Sequence, residues 1–139
     1  MTDRIFVDTN VWIYLFSTED SFKSKASDDF ILANGRISTL VISFQVINEV
    51  SKVLLLKKKF SETDIRKVIK YLTDICMIQG NTVETTLLSS RLRERCSLSF
   101  WDSHIVASAV AAQCKELVSE DMQAGFVVDG VTIRNIFGG

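Results

Sequence analysis

The sequence predicts an α/β fold in which a short parallel sheet carries helices on both faces. Short apolar runs alternate along the chain with longer segments in which apolar residues recur at helical spacing. This alternation favours a parallel sheet, because each helix returns the chain to the start of the next strand. The 139 residues match the usual size of one domain, and no Pro-, Gly- or Ser-rich linker divides them. We therefore expect a single domain over residues 1–139.

The elements of the N-terminal half follow from apolar runs and from helix start and stop signals. Residues 5–7 form an apolar run typical of a short buried strand, and an apolar helix follows it directly. A more polar helix is expected over about residues 20–33, because the Asn-Gly pair at 34–35 is a typical helix stop. A second short strand is then expected over residues 36–39, and a long helix over about residues 41–57.

The C-terminal half continues the same alternation. Ser61 and Asp64 have the spacing of a capping box, which predicts the start of an amphipathic helix. Residues 75–78 predict a third strand, and residues 82–96 another helix. An alanine-rich helix capped by Ser99 and Asp102 is expected next. A strand at residues 117–118, a helical turn at 121–123 and a last strand at 131–133 follow it.

Composition excludes several kinds of site. The single histidine, His104, cannot build a His-rich metal centre, and the three cysteines lack the Cys-x-x-Cys spacing of zinc or redox sites. We expect these thiols to be buried and reduced. No apolar run approaches the roughly 20 residues that span a bilayer. The N-terminus lacks the pattern of a secretory signal, so we expect a cytoplasmic protein without membrane contact.

Basic residues are concentrated in two segments. The net charge of −1 looks wrong for a protein that contacts phosphate, but the distribution of charge matters more than its sum. Residues 52–70 and 91–95 are both rich in Lys and Arg. Either segment can contact a phosphate-bearing partner, and a solvated helix face explains each segment equally well.

Four acidic residues stand out because of their place in the predicted elements. Asp8 and Asp121 follow predicted strands, and in parallel sheets ligands bind beyond the carboxyl ends of the strands. Asp102 begins a predicted helix, whose N-terminus can lie at the same edge. Helix capping explains each aspartate taken singly. It does not explain Glu49, which lies in mid-helix beside the apolar stripe, where a neighbouring lysine is the alternative partner.

Carboxylates that converge on one pocket repel one another. A hard divalent ion with oxygen ligands, such as Mg²⁺ or Mn²⁺, is the usual relief of that repulsion. Such a site suits hydrolysis of a phosphodiester bond, because the ion can activate water and orient the phosphate. The candidate metal ligands and catalytic residues are therefore Asp8, Glu49, Asp102 and Asp121.

Four short segments carry a resemblance to a known family. They are residues 7–12 (VDTNVW), 47–50 (INEV), 100–107 (FWDSHIVA) and 118–123 (VSEDMQ). In this order they resemble the motifs of the PIN-domain ribonucleases, and in particular of VapC-type toxins from toxin–antitoxin modules. The resemblance covers the whole chain. One departure is Ser103-His104, where relatives tend to have small or apolar residues; His104 is expected on the helix surface, with a contact to phosphate or water as the alternative.

The resemblance implies a doubly wound PIN domain that cleaves single-stranded RNA with Mg²⁺ or Mn²⁺ held by the four carboxylates. It implies that Thr9, Asn10 and Ser119 orient these ligands or a water molecule. It further implies a homodimer and a cognate antitoxin whose tail occludes the acidic pocket. The apolar run at residues 54–56 agrees with a dimer face, and deeper burial explains that run as well.

Other functions stay open at the level of the sequence. Asp8 after the first strand also suits the phosphoryl acceptor of a haloacid-dehalogenase-like phosphatase, but that family has a second aspartate where this chain has Asn10. A non-catalytic protein would use the acids as helix caps and the basic segments to bind RNA or a protein. A nucleotide-binding module is disfavoured because the sequence has no Gly-rich phosphate loop.

Overall fold

The computed structural model describes residues 2–138 and forms one six-stranded sheet with helices packed against it. The strands are Arg4–Val7 (β1), Thr39–Ser43 (β2), Cys76–Gln79 (β3), Glu116–Val118 (β4), Val127–Val128 (β5) and Val131–Arg134 (β6). The helices are Thr9–Phe16 (α1), Ser21–Ile37 (α2), Phe44–Lys57 (α3), Glu62–Ile75 (α4), Val83–Arg95 (α5) and Phe100–Ala111 (α6).

The sheet has the strand order β3-β2-β1-β4-β6-β5, and every pair is parallel except the last. Its central strands are continuous apolar runs, of which Phe6, Val41 and Leu117 are fully buried. Strands buried on both faces need helices on both sides. The α/β fold predicted from the sequence is confirmed, with a mostly parallel sheet.

The helix stop predicted at residues 34–35 is wrong. Helix α2 continues through Gly35 and ends only at Ile37, where the Ser38 N–H donates to the Asn34 carbonyl at 2.8 Å. A glycine within a helix lowers the stability of the helix by about 1 kcal/mol relative to alanine. Burial of Phe30 and Ile31 in the core offsets that cost. The second strand consequently lies at Thr39–Ser43 rather than at residues 36–39.

The long helix predicted from residue 41 begins three positions later. Residues Leu40, Val41 and Ile42 are at most 2% exposed and form the middle of β2. A short continuous apolar run fits a buried strand and a buried helix equally well, because it contains no polar residues whose spacing would distinguish them. The predicted helical turn at residues 121–123 is also wrong, because these residues form a bend followed by irregular backbone.

The sequence analysis missed β5. Asp129 (φ 46°) and Gly130 (φ 86°) adopt left-handed backbone conformations and join β5 to β6 as a tight hairpin. An Asp-Gly pair between short apolar segments is a strong hairpin signal, and it was present in the sequence. Other local signals were interpreted correctly, since Ser61 and Asp64 form the reciprocal capping box at the start of α4.

The cysteines are free, but only Cys114 is fully buried; Cys76 and Cys96 are half-buried. Burial raises the pKa of the Cys76 and Cys114 thiols to about 12, so both stay protonated near neutral pH. No helix within residues 2–138 has the length and apolar character that a membrane span requires.

Candidate carboxylate site

A pocket of about 890 Å³ lies where the carboxyl ends of β1, β2 and β4 meet the starts of α1, α3 and α6. Parallel strands place such a pocket at this edge of the sheet. The structure brings the acids singled out in the sequence together, since the residues lining this pocket include Asp8, Glu49, Asp102 and Asp121.

Asp8 occupies the N-cap position of α1, directly after β1. Its Oδ1 accepts from the Thr9 N–H at 2.8 Å and its Oδ2 from the Ser119 hydroxyl at 3.0 Å. The pKa of Asp8 is raised to about 6, mainly by burial; the nearby Glu49 and Asp102 carboxylates contribute to the rise, and the two hydrogen bonds oppose it. The ionised form of Asp8 is therefore held at a cost that a cation would relieve.

Glu49 lies in the middle of α3 with both carboxylate oxygens engaged. Its Oε2 accepts from the Thr9 hydroxyl at 2.9 Å, and its Oε1 accepts from the Gln45 amide at 2.8 Å. Gln45 precedes Glu49 by one helical turn and so lies on the same face of α3. The sequence analysis missed Gln45, although its spacing of four residues from Glu49 was a usable signal.

Asp102 and Asp121 form the other side of the pocket. Asp102 lies in the first turn of α6, where its N–H donates to the Ser99 hydroxyl at 3.2 Å. Burial raises the pKa of Asp102, and the Asp121 and Glu49 carboxylates raise it further, while Ser99 opposes the shift. Asp121 is exposed, and its Oδ2 accepts from the Asn10 amide at 2.8 Å.

The oxygen donors of this pocket match the chemistry that Mg²⁺ or Mn²⁺ prefers. Within residues 2–138, however, no group of three or more Asp, Glu, His or Cys side chains is positioned to hold a metal ion as it stands. Several carboxylate oxygens accept hydrogen bonds from Thr9, Gln45, Asn10 and Ser119 instead. Coordination therefore requires some side chains to turn toward one another.

The basic segments divide in the structure. Lys52 and Lys57 line the carboxylate pocket, whereas Lys58 pairs with Glu19 at 2.7 Å on the outer surface. In the second segment, Arg95 pairs with Asp129 at 3.0 Å and does not line this pocket. Part of the first basic segment thus lies beside the carboxylates.

His104 lies at the edge of the pocket and is half-buried. Burial and the Arg93 guanidinium lower its pKa, so its imidazole is neutral at pH 7. The expectation of a helix-surface side chain is met in part, because the same ring also lines the pocket.

A charged cluster is built around Glu120, the residue that precedes Asp121, and we call it the Glu120 cluster. The Glu120 carboxylate accepts from the Tyr14 hydroxyl at 2.6 Å and pairs with the Lys23 ammonium. That ammonium also lies 5.0 Å from the centre of the Tyr14 ring and 5.8 Å from that of Phe137. The cluster joins α1, α2 and the segment after β4, a combination of distant residues that no local sequence signal indicated.

Fold and pocket together define an α/β domain with a carboxylate-lined site at the carboxyl ends of its strands. A family model described as the PIN domain matches residues 5–125. The chain therefore belongs to the PIN domain family. No sequence among the curated proteins matches this chain.

Several solved structures have the same fold. VapBC2 from Rickettsia felis, bound to a promoter DNA fragment, aligns with a TM-score of 0.72 and 17% identity over 95% of this chain and 98% of that chain. VapC20 from Mycobacterium tuberculosis, described as a toxin that cleaves the sarcin–ricin loop, aligns with a TM-score of 0.64 and 18% identity over 81% and 86%. DNA-bound VapBC from Salmonella typhimurium aligns with a TM-score of 0.70 and 13% identity over 96% and 98%.

Proposed function

We propose that this protein is a metal-dependent endoribonuclease that hydrolyses phosphodiester bonds of single-stranded RNA. The observation that carries the proposal is the meeting of four carboxylates from distant parts of the chain in one open pocket. Bringing these carboxylates together lowers stability, as the raised pKa of Asp8 indicates, and such groups are typical of functional sites. Membership of the PIN domain family supports the same activity.

The residues take separate parts in this proposal. Asp8, Glu49, Asp102 and Asp121 would hold Mg²⁺ or Mn²⁺. When bound, the ion would supply water activation and stabilise the negative charge that develops on the phosphate. Thr9, Asn10 and Ser119 donate to the carboxylates and so fix their orientation. Lys52 and Lys57 would contact phosphates on one side of the cleaved bond.

We further propose that the protein acts as the toxin of a toxin–antitoxin pair and forms a homodimer. The similar solved structures include VapBC complexes, which supports a cognate antitoxin as partner. Leu56, at the end of α3, is 68% exposed and is a candidate dimer contact, whereas Leu54 is fully buried in the domain core. Light scattering of the purified protein tests the dimer directly.

The decisive experiment is cleavage of a mixed-sequence single-stranded RNA by antitoxin-free protein with Mn²⁺. Asp102→Asn and added chelator should each abolish cleavage. Asp74→Asn is the matched control, because Asp74 is an exposed aspartate of α4 paired with Lys70. Loss of cleavage in Asp102→Asn and with chelator, together with normal cleavage by Asp74→Asn, would support carboxylate-dependent metal catalysis. Cleavage that survives both tests would contradict it.

A thermal melt separates the enzyme from a non-catalytic binding protein. Ligation stabilises the folded state by mass action only where a site exists, so millimolar Mn²⁺ should raise the melting temperature of the wild type. Asp102→Asn should reduce that rise and Asp74→Asn should not. No shift for the wild type would favour a binding protein whose acids only cap helices.

A further inference from the structure

An exposed group of aromatic rings borders the carboxylate pocket, and we call it the aromatic rim. It comprises Phe44 at the start of α3 and Phe100, Trp101 and His104 in the first turns of α6. Trp101 is 62% exposed, Phe44 56% and Phe100 53%. Single exposed apolar residues are common on protein surfaces, but several of them around one pocket are typical of a binding site.

The rings on α6 are held in place although they remain exposed. The Trp101 centroid lies 5.0 Å from that of Phe100 and 5.6 Å from that of His104. The Arg93 guanidinium lies 4.4 Å from the centre of the Phe100 ring and donates to the Ser103 hydroxyl at 2.8 Å. A ligand that stacks on Trp101 therefore meets a preorganised surface and loses little entropy in ordering it.

The pocket changes character along α3. At the start of the helix, the Gln45 amide lies 3.4 Å from the Trp101 carbonyl, so the aromatic rim lies at this end. Glu49 follows Gln45 by one turn, and the other carboxylates line the same pocket. Lys52 and Lys57 lie beyond Glu49 by about 5 and 12 Å along the helix axis. Aromatic, acidic and basic groups thus succeed one another along one wall.

This order matches the chemistry of a nucleic acid strand. Unpaired bases stack on aromatic side chains, and the phosphate backbone pairs with basic side chains. A strand laid along α3 would place one base on Trp101, a phosphodiester beside the carboxylates and the next phosphates near Lys52 and Lys57. An apolar peptide would contact the rim as well, but it would leave the two lysines without a partner.

We propose that Trp101, supported by Phe100 and His104, is a stacking platform for one unpaired nucleobase next to the cleaved bond. The inference rests on the proposed ribonuclease function and goes further by assigning a base subsite. Stacking requires a base outside a duplex, so the platform selects unpaired RNA without reading a particular sequence. Trp101 acts on substrate binding rather than on the chemical step.

The two tryptophans of the chain make the proposal directly measurable. Trp12 is fully buried with its indole N–H bonded to the Val7 carbonyl, so a ligand that quenches fluorescence reports on Trp101. The probe is a short single-stranded oligoadenylate, titrated in the presence of chelator so that it is not cleaved. We expect saturable quenching with the single strand and little with a duplex of the same length.

Variants then separate the base platform from other roles of Trp101. Labelled oligoadenylate should bind Trp101→Ala about 5-fold to 100-fold more weakly than wild type and Trp101→Phe with an intermediate affinity. In cleavage assays Trp101→Ala should raise KM with little change in kcat. Phe22→Ala is the matched control, because Phe22 is 67% exposed on α2 and outside the pocket.

The outcomes distinguish this proposal from the proposed function. Cleavage with unchanged oligoadenylate affinity in Trp101→Ala would overturn the base platform and leave the ribonuclease intact. A change of oligomeric state in Trp101→Ala without loss of RNA affinity would assign the rim to contact with a second copy. Wild type that neither binds nor cleaves the RNA would overturn both proposals.

Discussion

The two sides of the carboxylate pocket are held differently. On the inner side, all four oxygens of Asp8 and Glu49 accept hydrogen bonds from Thr9, Ser119 and Gln45. On the outer side, Asp121 is exposed and accepts from the Asn10 amide. The inner carboxylates are held by four hydrogen bonds, and Asp8 is also desolvated, whereas Asp121 is exposed and accepts one hydrogen bond. Rigidity and adaptability are thus divided between the two sides.

The largest expected effect is on cleavage. Asp8→Asn should lower the rate of RNA cleavage more than about 100-fold, because it removes a fixed negative ligand. Asp121→Asn should lower it about 10-fold, because water can more easily take the place of an exposed carboxylate that accepts only one hydrogen bond. Single-turnover rates of both variants at saturating Mn²⁺ measure the difference. Equal losses would mean that the two sides do not differ in the way described.

The second prediction concerns stability against pH without metal. Because the pKa of Asp8 rises from 3.8 to about 6 on folding, the folded state binds the proton more tightly than the unfolded state. The contribution of Asp8 is therefore fully present below pH 3.8 and is lost as pH rises through 6. Because Asp8 is largely buried, a shift of this size corresponds to a loss on the order of 3 kcal/mol.

Urea unfolding in chelator measures this contribution. Asp8→Asn should be more stable than wild type at pH 7.5, and the advantage should shrink as pH is lowered toward 4. A stability difference between Asp8→Asn and wild type that does not change with pH would mean that packing, not the charge of Asp8, causes the difference.

The smallest expected effect tests what supports the outer side. Glu120→Gln weakens the Glu120 cluster, because the amide carries no charge to pair with Lys23. The melting temperature should fall by a few degrees, and cleavage should fall less than in Asp121→Asn. Lys25→Gln is the control, since Lys25 forms a surface pair with Asp29 on the same helix. A fall in melting temperature as large in the control as in Glu120→Gln would remove the special role of the cluster.

Local sequence signals predicted most strands and the candidate site residues, whereas features that depend on long-range contacts were not predicted. Apolar runs located β1 and β4, and the rule that ligands bind at strand ends placed Asp8 and Asp121 at the same edge. The run at residues 40–42 was misassigned because burial removes the polar spacing that distinguishes a strand from a helix. The Glu120 cluster was not predictable, because its members meet only after the sheet has formed. The catalytic and metal-binding roles remain predictions.

The hydrogen bonds from Ser119 to Asp8 and from Asn10 to Asp121 each span 111 residues. During synthesis, the strands β1, β2 and β3 leave the ribosome well before β4, and they can pair without it. Contacts of such long sequence separation form late, because closing the large loop between the two residues costs entropy before the contact can stabilise the fold. The two sides of the pocket therefore come together only when nearly the whole chain has emerged, and a nascent or truncated chain carries an incomplete set of carboxylates.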